Sequence, residues 1–487
     1  MCGIVGFDGF FNGNDFISIL KDLKHRGPDS TGIYLENNEK IFKTDINLDT
    51  IALDENYSFA LGHNLLSIYN SKKKDGFQPI SHKNLILVFN GEIYNIKDIN
   101  SFLKLKNNSS DSYVLINLIY FFYKENNDLL YAVKKSFQLI DGDFTFAVFD
   151  GENLAISRDI IGVKPLFYHT SSKINIFSSE RSSIKKLKIK DIKSLKPGNI
   201  LYNWEEIKFK EDIGNYVIDI DSNYLKNLEM LLKESIYKRI KNLDRIGLIF
   251  SGGVDSGIIA YILKEISKER DLEVILYAVG DENSKDILYA RKIAEFLGLK
   301  LNIQNITEEI VKENLEEVVK FIGENNLMKI GVGMTIFLAA KMIHKDNIKV
   351  ALSGQGADEL FAGYNRYLNT YIKGFKFLDD ELRYDINNMY NVNLERDDTA
   401  SMKNSVELRL PYLDKKFIEY SLNIPIKYKI ESSDDKIRKL VLRDLAYKLG
   451  MNKEFAYRPK KAAQYGSGID KILRKNVLKQ VNIESYL

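Results

Sequence analysis

The chain has 487 residues, of which 45% are hydrophobic and 28% are charged, so it is long enough for two or three domains with cores of their own. Its 70 basic and 67 acidic side chains give a formal net charge of +3, which provides no general attraction for a nucleic acid or an anionic membrane. A single cysteine excludes an internal disulfide and a cysteine-rich zinc cluster.

The apolar runs of the chain are short. The longest, such as 85–89 and 246–250, have the size of strands and fall far below the ~20 residues that a membrane-spanning helix needs. The first residues lack the basic and apolar pattern of a signal peptide. The sequence therefore predicts no membrane association and a cytoplasmic, reducing location.

The single cysteine is residue 2, directly after Met1. A free cysteine is more often a small buried apolar residue than a catalytic one. At this position, however, removal of Met1 would place the thiol and a free α-amino group on the same residue. The amine has a reference pKa of about 8, so its neutral fraction can accept the thiol proton near pH 7. Cys2 is therefore a candidate nucleophile that carries its own base.

Residues 1–205 consist mainly of short β-rich runs separated by turns. The predicted strands are 4–7, 59–61, 85–89, 144–149, 154–157, 166–168 and 174–177. Two stretches, 16–24 and 111–122, carry apolar residues at helical spacing, which predicts sheets covered by a few helices. The polar segment 206–222 then indicates a linker to a second domain at 223–487.

Several short motifs follow one another in the first domain. They read MCGIVG at 1–6, HRGPD at 25–29, NGEIYN at 90–95, SD at 110–111 and RDIIGVKPLFY at 158–168. In this order they resemble the class II glutamine amidotransferases. The resemblance implies an N-terminal α+β domain with the four-layer αββα fold of N-terminal-nucleophile glutaminases.

The same resemblance implies roles for individual residues. Cys2 would attack the side-chain amide of glutamine, and Asn90 with the Gly91 N–H would form the oxyanion hole. The implied glutamine-binding residues are Arg26, Asn90, Glu92 and Asp111.

One departure lies at 61–68, where the chain reads LGHNLLSI and the family pattern is LxHxRLSI. Leu65 stands at the arginine that normally binds the α-carboxylate of glutamine, and an isobutyl group cannot replace a bidentate Arg–carboxylate pair. Three outcomes stay open: weak glutamine binding, a substitute cation such as Arg26, or ammonia as the main nitrogen donor.

After residue 222 strand-like runs alternate with helices. An apolar helical stripe at 225–236 precedes the predicted strands 245–250, 274–279 and 349–352. This alternation predicts an α/β domain with parallel strands and crossover helices. Ligands of such sheets bind beyond the carboxyl ends of the strands, so the loops that follow these three strands are candidate binding loops.

The sequence SGGVDS at 251–256 lies between the first of these strands and a helix with one apolar face. Paired glycines let the backbone approach an anion, and the helix N-terminus supplies N–H donors. The lysine of a Walker-type nucleotide loop is missing. Asp255 would repel a phosphate unless a divalent cation lies between them, so Mg²⁺ is expected. A Gly-Gly turn with a serine cap is the structural alternative.

This loop resembles the SGGxDS signature of the PP-loop ATP pyrophosphatases, which split ATP into AMP and pyrophosphate by adenylating an acceptor. The resemblance implies an adenine nucleotide α-hydrolase-like fold. It implies the following ATP-binding residues: Leu248, Ser251, Gly252, Gly253, Asp255, Ser256, Val279, Ser353 and Gly354.

The segment 352–364, LSGQGADELFAGY, resembles the asparagine synthetase segment SGEGxDELFxGY. The resemblance pairs Asp358 with Asp255 at Mg²⁺. Gln355 stands where the family usually has a glutamate that is assigned to proton handling. A neutral amide cannot act as a general base at pH 7, so that role has to move or be unnecessary.

Three further matches lie toward the end of the chain. MKNSVELRLPYLD at 402–414 resembles MxxxxExRxPFLD, whose Glu and Arg brace the synthetase site. Lys439 fits a KxxLR pattern, and 458–460 fit a basic RxK element near the acyl-adenylate. Lys439 and Lys460 are the implied catalytic cations, with Lys461 as a competitor for Lys460; a cation there would stabilise charge on the departing pyrophosphate.

Together the motifs resemble glutamine-dependent asparagine synthetase along nearly the whole chain. The resemblance implies that aspartate is adenylated by ATP and amidated by ammonia from glutamine, which passes through an intramolecular channel. The expected partners are the small molecules glutamine, aspartate and ATP, with no nucleic acid and no membrane, and a homodimer is left open.

Other functions stay open. A related PP-loop enzyme, such as a β-lactam synthetase, would form an amide of another carboxylic acid, although Cys2 weighs against the lactam branch. A tRNA-modifying PP-loop enzyme is opposed by the near-zero net charge. A sensor of glutamine or nucleotide is suggested by Leu65 and Gln355, but Cys2 and the carboxylate pair argue for catalysis.

Overall fold

The structure is a computed structural model that describes residues 2–37, 40–51, 53–68, 76–105, 110–209, 213, 220–458, 468–475, 477 and 483–486. The chain folds into two compact units, Met1–Glu211 and Asp212–Leu487.

The first unit contains two antiparallel sheets. The strands are β1 Gly3–Asn12, β2 Ser30–Glu36, β3 Lys40–Lys43, β4 Asn56–Leu65, β5 Ile80–His82, β6 Leu85–Ile93, β7 Gly142–Phe149, β8 Leu154–Arg158, β9 Phe167–His169, β10 Ile174–Ser178, β11 Lys193–Ser194, β12 Asn199–Tyr202 and β13 Glu205–Lys208. One sheet has the order β11-β9-β10-β1-β4-β2-β3 and the other β13-β12-β8-β7-β6-β5.

Helices cover the outer faces of these sheets. They are α1 Gly13–Asp22, α2 Ile96–Leu103, α3 Asp111–Asn126, α4 Leu129–Leu139 and α5 Arg181–Lys185, with a 3₁₀ turn at Lys24–Arg26. Ile4 and Leu61 of the first sheet pack with Val88 and Ile156 of the second in one buried cluster, so the sheets face each other. Two further clusters pack α1 and α5 on the first sheet and α2 to α4 on the second. This is the expected four-layer αββα arrangement.

The second unit begins with α6 and is built on β-α alternation. Its elements are α6 Tyr224–Arg239, β14 Arg245–Ile249, α7 Val254–Glu269, β15 Glu273–Gly280, α8 Lys285–Leu297, β16 Lys300–Asn305, α9 Glu308–Ile322, α10 Leu327–Lys345, β17 Val350–Leu352, α11 Ala357–Leu360, α12 Arg366–Tyr371, α13 Phe375–Met389, α14 Glu395–Met402, β18 Glu407–Arg409, α15 Lys415–Asn423, α16 Leu440–Lys448, α17 Lys453–Ala456 and α18 Ile469–Lys475. A π-helical turn lies at Tyr390–Leu394, and 3₁₀ turns lie at Pro411–Leu413, Ile426–Tyr428 and Ile483–Tyr486.

The sheet of the second unit is parallel and has the order β16-β15-β14-β17-β18. The chain leaves β14 toward β15 on one side and returns to β17 on the other. A ligand crevice forms where the strand order reverses in this way, at the carboxyl ends of the strands. The loops after β14 and β17 therefore meet at one place, as the sequence predicted.

One helix of the described chain, α10, is long and apolar enough to cross a membrane by length and composition alone. Ile330, Met334 and Phe337 of this helix are buried inside the second unit, and core helices of soluble proteins pass the same test. The helix is therefore weak evidence for a membrane span. Its apolar length exceeds the strand-sized runs that the sequence suggested as the longest.

The predicted fold class is confirmed, with an antiparallel two-sheet unit followed by a parallel α/β unit. The boundary between them differs in detail from the expected linker at 206–222. Strand β13 pairs with β12 and therefore belongs to the first unit, which extends the sheet past residue 205.

Candidate active site

Cys2 immediately precedes β1 and is only 7% exposed. Its backbone nitrogen donates a hydrogen bond to Oδ1 of Asn90, 2.8 Å away. Asn90 is fully buried on β6. The fold therefore brings Cys2, the predicted nucleophile, into contact with Asn90, the predicted oxyanion-hole residue. The two lie 88 positions apart in the sequence.

The side-chain amide nitrogen of Asn90 is a candidate ligand-binding group. Within the described part of the chain, its buried Nδ2 has no hydrogen-bond partner. A buried donor without a partner costs about 1–3 kcal/mol, and most buried polar atoms avoid that cost. An amide donor of this kind, beside the nucleophile, suits a developing oxyanion.

Gly91 permits the close approach of two strands beside this amide. A Cβ at Gly91 would lie 2.7 Å from Cα of Phe144 on β7, closer than real Cβ contacts allow. The next strand residues continue the site: Glu92 is half-buried, and the N–H of Ile93 donates to Oδ2 of Asp111, 3.2 Å away. The predicted glutamine-binding carboxylates thus lie beside Asn90.

Arg26 ends the 3₁₀ turn and is fully buried. Its Nε donates to the carbonyl oxygen of Cys2 at 3.2 Å, and its Nη1 donates to Oε1 of Glu180 at 3.2 Å. Nε2 of His25 lies 2.7 Å from the same Glu180 oxygen. The guanidinium is therefore engaged by protein groups, and its predicted contact with glutamine stays a prediction. Glu180 belongs to none of the motifs found in the sequence.

His63, in the motif that contains Leu65, lies on β4 opposite Ile4 of β1. Burial lowers the pKa of His63 to about 3, so its imidazole is neutral at pH 7. Leu65 ends the same strand and is half-buried. Neither residue supplies positive charge for the α-carboxylate of glutamine.

In the second unit, the segment 251–256 leads from the end of β14 into the first turn of α7. Gly252 has φ of +65°, and a Cβ there would lie 2.8 Å from the backbone nitrogen of Ala290. The hydroxyls of Ser251 and Ser256 are 3.3 Å apart, and the N–H of Gly253 donates to Oγ of Ser251 at 3.3 Å. No side chain caps the start of α7 among the described residues. These features form an anion cradle at the helix N-terminus.

The ammonium of Lys439 lies between the two predicted metal-binding carboxylates. Its Nζ is 2.7 Å from Oδ2 of Asp255 and 2.7 Å from Oδ1 of Asp358, and the lysine side chain is fully buried. Asp255 lies in the first turn of α7 and Asp358 in α11, so the loops after β14 and β17 bring the pair together. Carboxylate oxygens suit a hard cation, so this pair would hold Mg²⁺ together with the phosphates of a bound nucleotide, and the metal stays a prediction.

Lys439 reaches this position through a strained backbone. Arg438 and Lys439 have φ of 54° and 56°, in the left-handed region that costs non-glycine residues about 1–3 kcal/mol each. Gly363 makes room for the contact, because a Cβ there would overlap Oδ1 of Asp358 and Cε of Lys439. Nε of Arg438 donates to the carbonyl of Gly363 at 3.0 Å and holds the two segments together.

Arg443 and Arg458 connect further segments to the loop 251–256. Arg443 donates to the carbonyls of Arg438 and Arg458 at 2.6 Å each, and burial lowers the pKa of Arg443 to about 10. Arg458 donates to the carbonyl of Gly252 at 3.0 Å, pairs with Asp286 and stacks 4.2 Å from the ring of Tyr289. Arg458, the described residue of the predicted basic element 458–460, therefore contacts the glycine loop directly.

Other predicted ATP-binding residues lie on β14, on β15 and directly after β17. Leu248 is buried in the middle of β14, and Val279 lies near the end of β15 with 9% exposure. Gly354 follows β17, and a Cβ there would lie 3.1 Å from Cβ of Asp255. Ser353 donates its N–H to the carbonyl of Arg409 at 3.2 Å, which connects the loop to β18.

Several charged residues of the synthetase motifs have structural partners. Arg409 donates to Oε1 of Glu407 at 3.0 Å, and both side chains are buried. Glu359 accepts hydrogen bonds from Tyr364 at 2.7 Å and Asn393 at 2.8 Å. Burial, with the nearby charge of Asp358, raises the pKa of Glu359 to about 7.

The comparisons with known proteins agree with this geometry. An asparagine synthase family model matches residues 227–379 and 373–484, and a glutamine amidotransferase domain model matches residues 1–196. A protein of Methanocaldococcus jannaschii with the provisional name asparagine synthetase (glutamine-hydrolysing) 1 is 38% identical over 98% of this chain and 95% of its own length. The chain belongs to the glutamine-hydrolysing asparagine synthetase family.

More distant members of the asparagine synthetase family match as well. The enzyme of Gallus gallus is 28% identical over 80% of this chain and 74% of its own length, and that of Homo sapiens is 27% identical over 84% and 78%. Among solved structures, the glutamine phosphoribosylpyrophosphate amidotransferase of B. subtilis has 19% identity over 62% of this chain and 65% of its own, with a TM-score of 0.38.

Two predictions remain for the second unit, the identity of the active-site lysine and the role of Gln355. Residues 459–467 are outside the described chain, so the choice between Lys460 and Lys461 as the catalytic lysine stays a prediction. Gln355 is described and half-buried at the start of the loop that carries Asp358. The chain therefore departs from the usual family glutamate at a position that lies in the crevice loop.

Proposed function

We propose that this chain makes asparagine from aspartate in an ATP-dependent reaction, with ammonia released from glutamine at Cys2. The products are asparagine, AMP, pyrophosphate and glutamate. The first unit carries the glutaminase reaction and the second unit carries the synthesis. The observation that carries the proposal is the convergence of Asp255, Asp358 and Lys439 beside an anion cradle. In the other unit of the same chain, the backbone nitrogen of Cys2 donates a hydrogen bond to Asn90.

In the glutaminase reaction, the α-amino group of processed Cys2 takes the proton of its own thiol. The thiolate attacks the side-chain amide carbon of glutamine, and the oxyanion accepts hydrogen bonds from Nδ2 of Asn90 and the N–H of Gly91. The protonated amine returns its proton to the leaving nitrogen, and ammonia departs. Water then hydrolyses the thioester to glutamate. Glu92 and Asp111 hold the ammonium end of glutamine.

In the synthesis, the β-carboxylate of aspartate attacks the α-phosphorus of ATP, which is a substrate, and pyrophosphate leaves. Ammonia then attacks the acyl carbon of β-aspartyl-AMP and displaces AMP. The loop 251–256 binds the phosphates, with Ser251, Gly252, Gly253 and Ser256 as donors. Lys439 and one of the lysines at 460 and 461 stabilise the charge that develops on pyrophosphate.

Asp255 and Asp358 would hold Mg²⁺. When bound, the ion neutralises phosphate charge and so permits carboxylates inside an anion site. The fully buried ammonium of Lys439 already compensates part of their charge and keeps the two side chains together. The pair is therefore positioned before a nucleotide arrives.

The location follows from the chemistry that we propose. Cys2 has to stay a free thiol and ATP has to be available, so we place the enzyme in the cytoplasm. A homodimer is the assembly that we would test first.

The proposal is tested by product analysis with ATP, Mg²⁺, aspartate and either glutamine or ammonium. We expect AMP, pyrophosphate and asparagine with both nitrogen donors, and loss of synthesis when EDTA removes the metal. Cys2→Ala should abolish the use of glutamine and leave the use of ammonium intact. ADP as the nucleotide product would exclude adenylation, and equal loss with both donors in Cys2→Ala would contradict two separate reactions.

The substitution of Gln355 for the usual glutamate favours one second candidate, an amide-forming enzyme for another carboxylic acid. A series of acids that replaces aspartate decides between the two. AMP release that depends on an acid other than aspartate would move the chain to that branch of the family.

A further inference from the structure

We infer that Glu180 is a positioning residue for the glutaminase reaction, and that it acts through Arg26 on the main chain of Cys2. The inference rests on the proposed role of Cys2 as the nucleophile. Glu180 follows β10 and precedes α5, far in sequence from the other residues of the site. Its side chain is only 1% exposed.

The carboxylate of Glu180 joins two consecutive residues of the HRGPD motif. Its Oε1 lies 2.7 Å from Nε2 of His25 and accepts a hydrogen bond from Nη1 of Arg26 at 3.2 Å. Its Oε2 accepts a hydrogen bond from Oγ of Ser182 at 3.3 Å. The carboxylate therefore has bonded partners on both oxygens and a fixed orientation.

Arg26 connects the carboxylate of Glu180 to the main chain of Cys2. Its Nε donates to the carbonyl oxygen of Cys2 at 3.2 Å, while the backbone nitrogen of Cys2 donates to Asn90 at 2.8 Å. The two contacts hold the main chain of Cys2 at both its ends. Catalytic groups need placement to within about 0.5 Å, so a freely turning first residue would spend little time in the reactive geometry.

The backbone around Glu180 is tied to the same strand as Cys2. The N–H of Ser179 donates to the carbonyl of Ile4 at 3.0 Å, and the N–H of Ile4 donates to Oγ of Ser179 at 3.0 Å. Glu180 directly follows Ser179, and Cys2 lies two residues before Ile4, so both are close to this pair of hydrogen bonds. These hydrogen bonds attach the connection that carries Glu180 to β1, the strand that Cys2 immediately precedes.

Charge explains why this position needs a carboxylate. Arg26 is fully buried and keeps its charge at any accessible pH. A buried guanidinium without a counter-ion is strongly unfavourable and would move toward water or toward another carboxylate. Either movement would release the carbonyl of Cys2.

The test compares Glu180→Gln with wild-type full-length protein. We expect kcat for glutamine hydrolysis to fall about tenfold or more, as displaced catalytic groups do, with little change in KM for glutamine. Ammonium-dependent synthesis should be unchanged. Cys2 is the sole cysteine, so its alkylation by iodoacetamide reports directly on the thiol, and we expect a clearly slower rate. Glu180→Asp should fall between wild type and Glu180→Gln.

A matched control is Glu206→Gln in the same unit. Glu206 is also a hydrogen-bonded carboxylate, with Tyr168 at 3.0 Å and Asn199 at 2.7 Å, and it is exposed. This control should hydrolyse glutamine at the wild-type rate. In an Arg26→Met background, Glu180→Gln should have no further effect on kcat, because the link to Cys2 is already broken.

Three results would overturn the inference. They are wild-type kcat and alkylation rate in Glu180→Gln, an equal loss of ammonium-dependent synthesis, and full additivity with Arg26→Met. A wild-type protein that makes asparagine from ammonium but never hydrolyses glutamine would instead refute the proposed glutaminase function. In that case the alkylation rates still decide whether Glu180 positions Cys2.

Discussion

Buried charges and their partners define both reactive regions at the scale of single residues. Arg26, Lys439 and Arg443 are each no more than 1% exposed. Arg26 is held by Glu180, Lys439 by two aspartates and Arg443 by main-chain carbonyls. Removing one partner of a buried pair costs about 3–5 kcal/mol, so these partners constrain the sequence as strongly as the reactive groups do.

Lys429 provides a stability prediction from a buried charge outside the proposed chemistry. Its side chain is fully buried, its Nζ donates to the carbonyl of Leu422 at 3.3 Å, and burial lowers its pKa from 10.5 to about 7. The unfolded chain therefore binds more protons between pH 7 and 10.5, and the free energy of unfolding rises with pH across that window. We expect Lys429→Met to be about 4 kcal/mol more stable than wild type at pH 7, with a smaller difference at pH 10.

Urea unfolding at the two pH values measures this difference. Lys427→Met is the matched control, because Lys427 is exposed on the adjacent 3₁₀ turn and its removal should change the free energy of unfolding by less than about 0.5 kcal/mol. A Lys429→Met protein that is less stable than wild type at pH 7, or a gain that grows with pH, would refute the prediction.

Sequence reasoning at this scale found the residues but not all of their partners. The family resemblance implied the pairs Cys2 with Asn90 and Asp255 with Asp358, and the structure brings the members of each pair close together. Glu180 was not predicted, since nothing local in its sequence distinguishes it from a surface glutamate. The burial of Arg26, which only the fold reveals, is the signal that a counter-ion such as Glu180 lies nearby.

At the scale of elements, the phosphate loop depends on one left-handed glycine. Gly252 has φ of +65°, and a Cβ there would also press on α8 at Ala290. Gly252→Ala should therefore raise KM for ATP by about tenfold or more, through displacement of the cradle, and leave glutamine hydrolysis unchanged. Steady-state kinetics with ammonium as the nitrogen donor measure the effect.

Gly298→Ala separates backbone strain from collision. Gly298 has nearly the same φ, +66°, but a Cβ there would meet nothing within 4 Å. This control should lose about 1 kcal/mol of stability and keep its KM for ATP. An equal rise of KM in both variants would show that strain, and not the contact with α8, displaces the loop.

The elements themselves were largely predictable, and their ends were not. All seven predicted strands of the first unit are present, but β1 and β4 extend well beyond 4–7 and 59–61. Those extensions contain glycine and polar residues that pair across the sheet, where partner strands override local propensity. The short strands β11 and β13 carry lysine and glutamate and give no apolar alternation for a sequence pattern to detect.

The order of the strands in each sheet and their register could not be predicted from the sequence, for a physical reason. The contact of Cys2 with Asn90 requires that β1 and β6 face each other from different sheets, as the shared cluster of Ile4 and Val88 shows. Strand alternation fixes which side of a strand is buried, but it does not fix which distant strand covers it. The parallel unit was easier, because β-α alternation allows few topologies and places the ligand at the carboxyl ends.

At the scale of the whole molecule, each unit has its own buried core and its own reactive groups. The residues that we propose for glutamine hydrolysis lie before residue 212, and the carboxylate pair with its lysine lies after it. Chemistry in one unit should therefore survive an isosteric change of charge in the other. Asp255→Asn removes a charge beside the phosphate cradle without changing volume.

We expect Asp255→Asn to lose the formation of AMP and pyrophosphate with both glutamine and ammonium, by more than about a hundredfold, and to retain glutamine hydrolysis. The reason is that Asp255 is one of two carboxylates that would hold Mg²⁺ and the partner of a buried Lys439 ammonium. Asp271→Asn, on the exposed segment before β15, is the control and should keep both reactions. Radiolabelled ATP with separation of AMP measures adenylation, and coupled detection of glutamate measures hydrolysis. Substantial AMP from Asp255→Asn would refute the assignment of Asp255, because no neutral amide can replace a metal-binding carboxylate at a pyrophosphate.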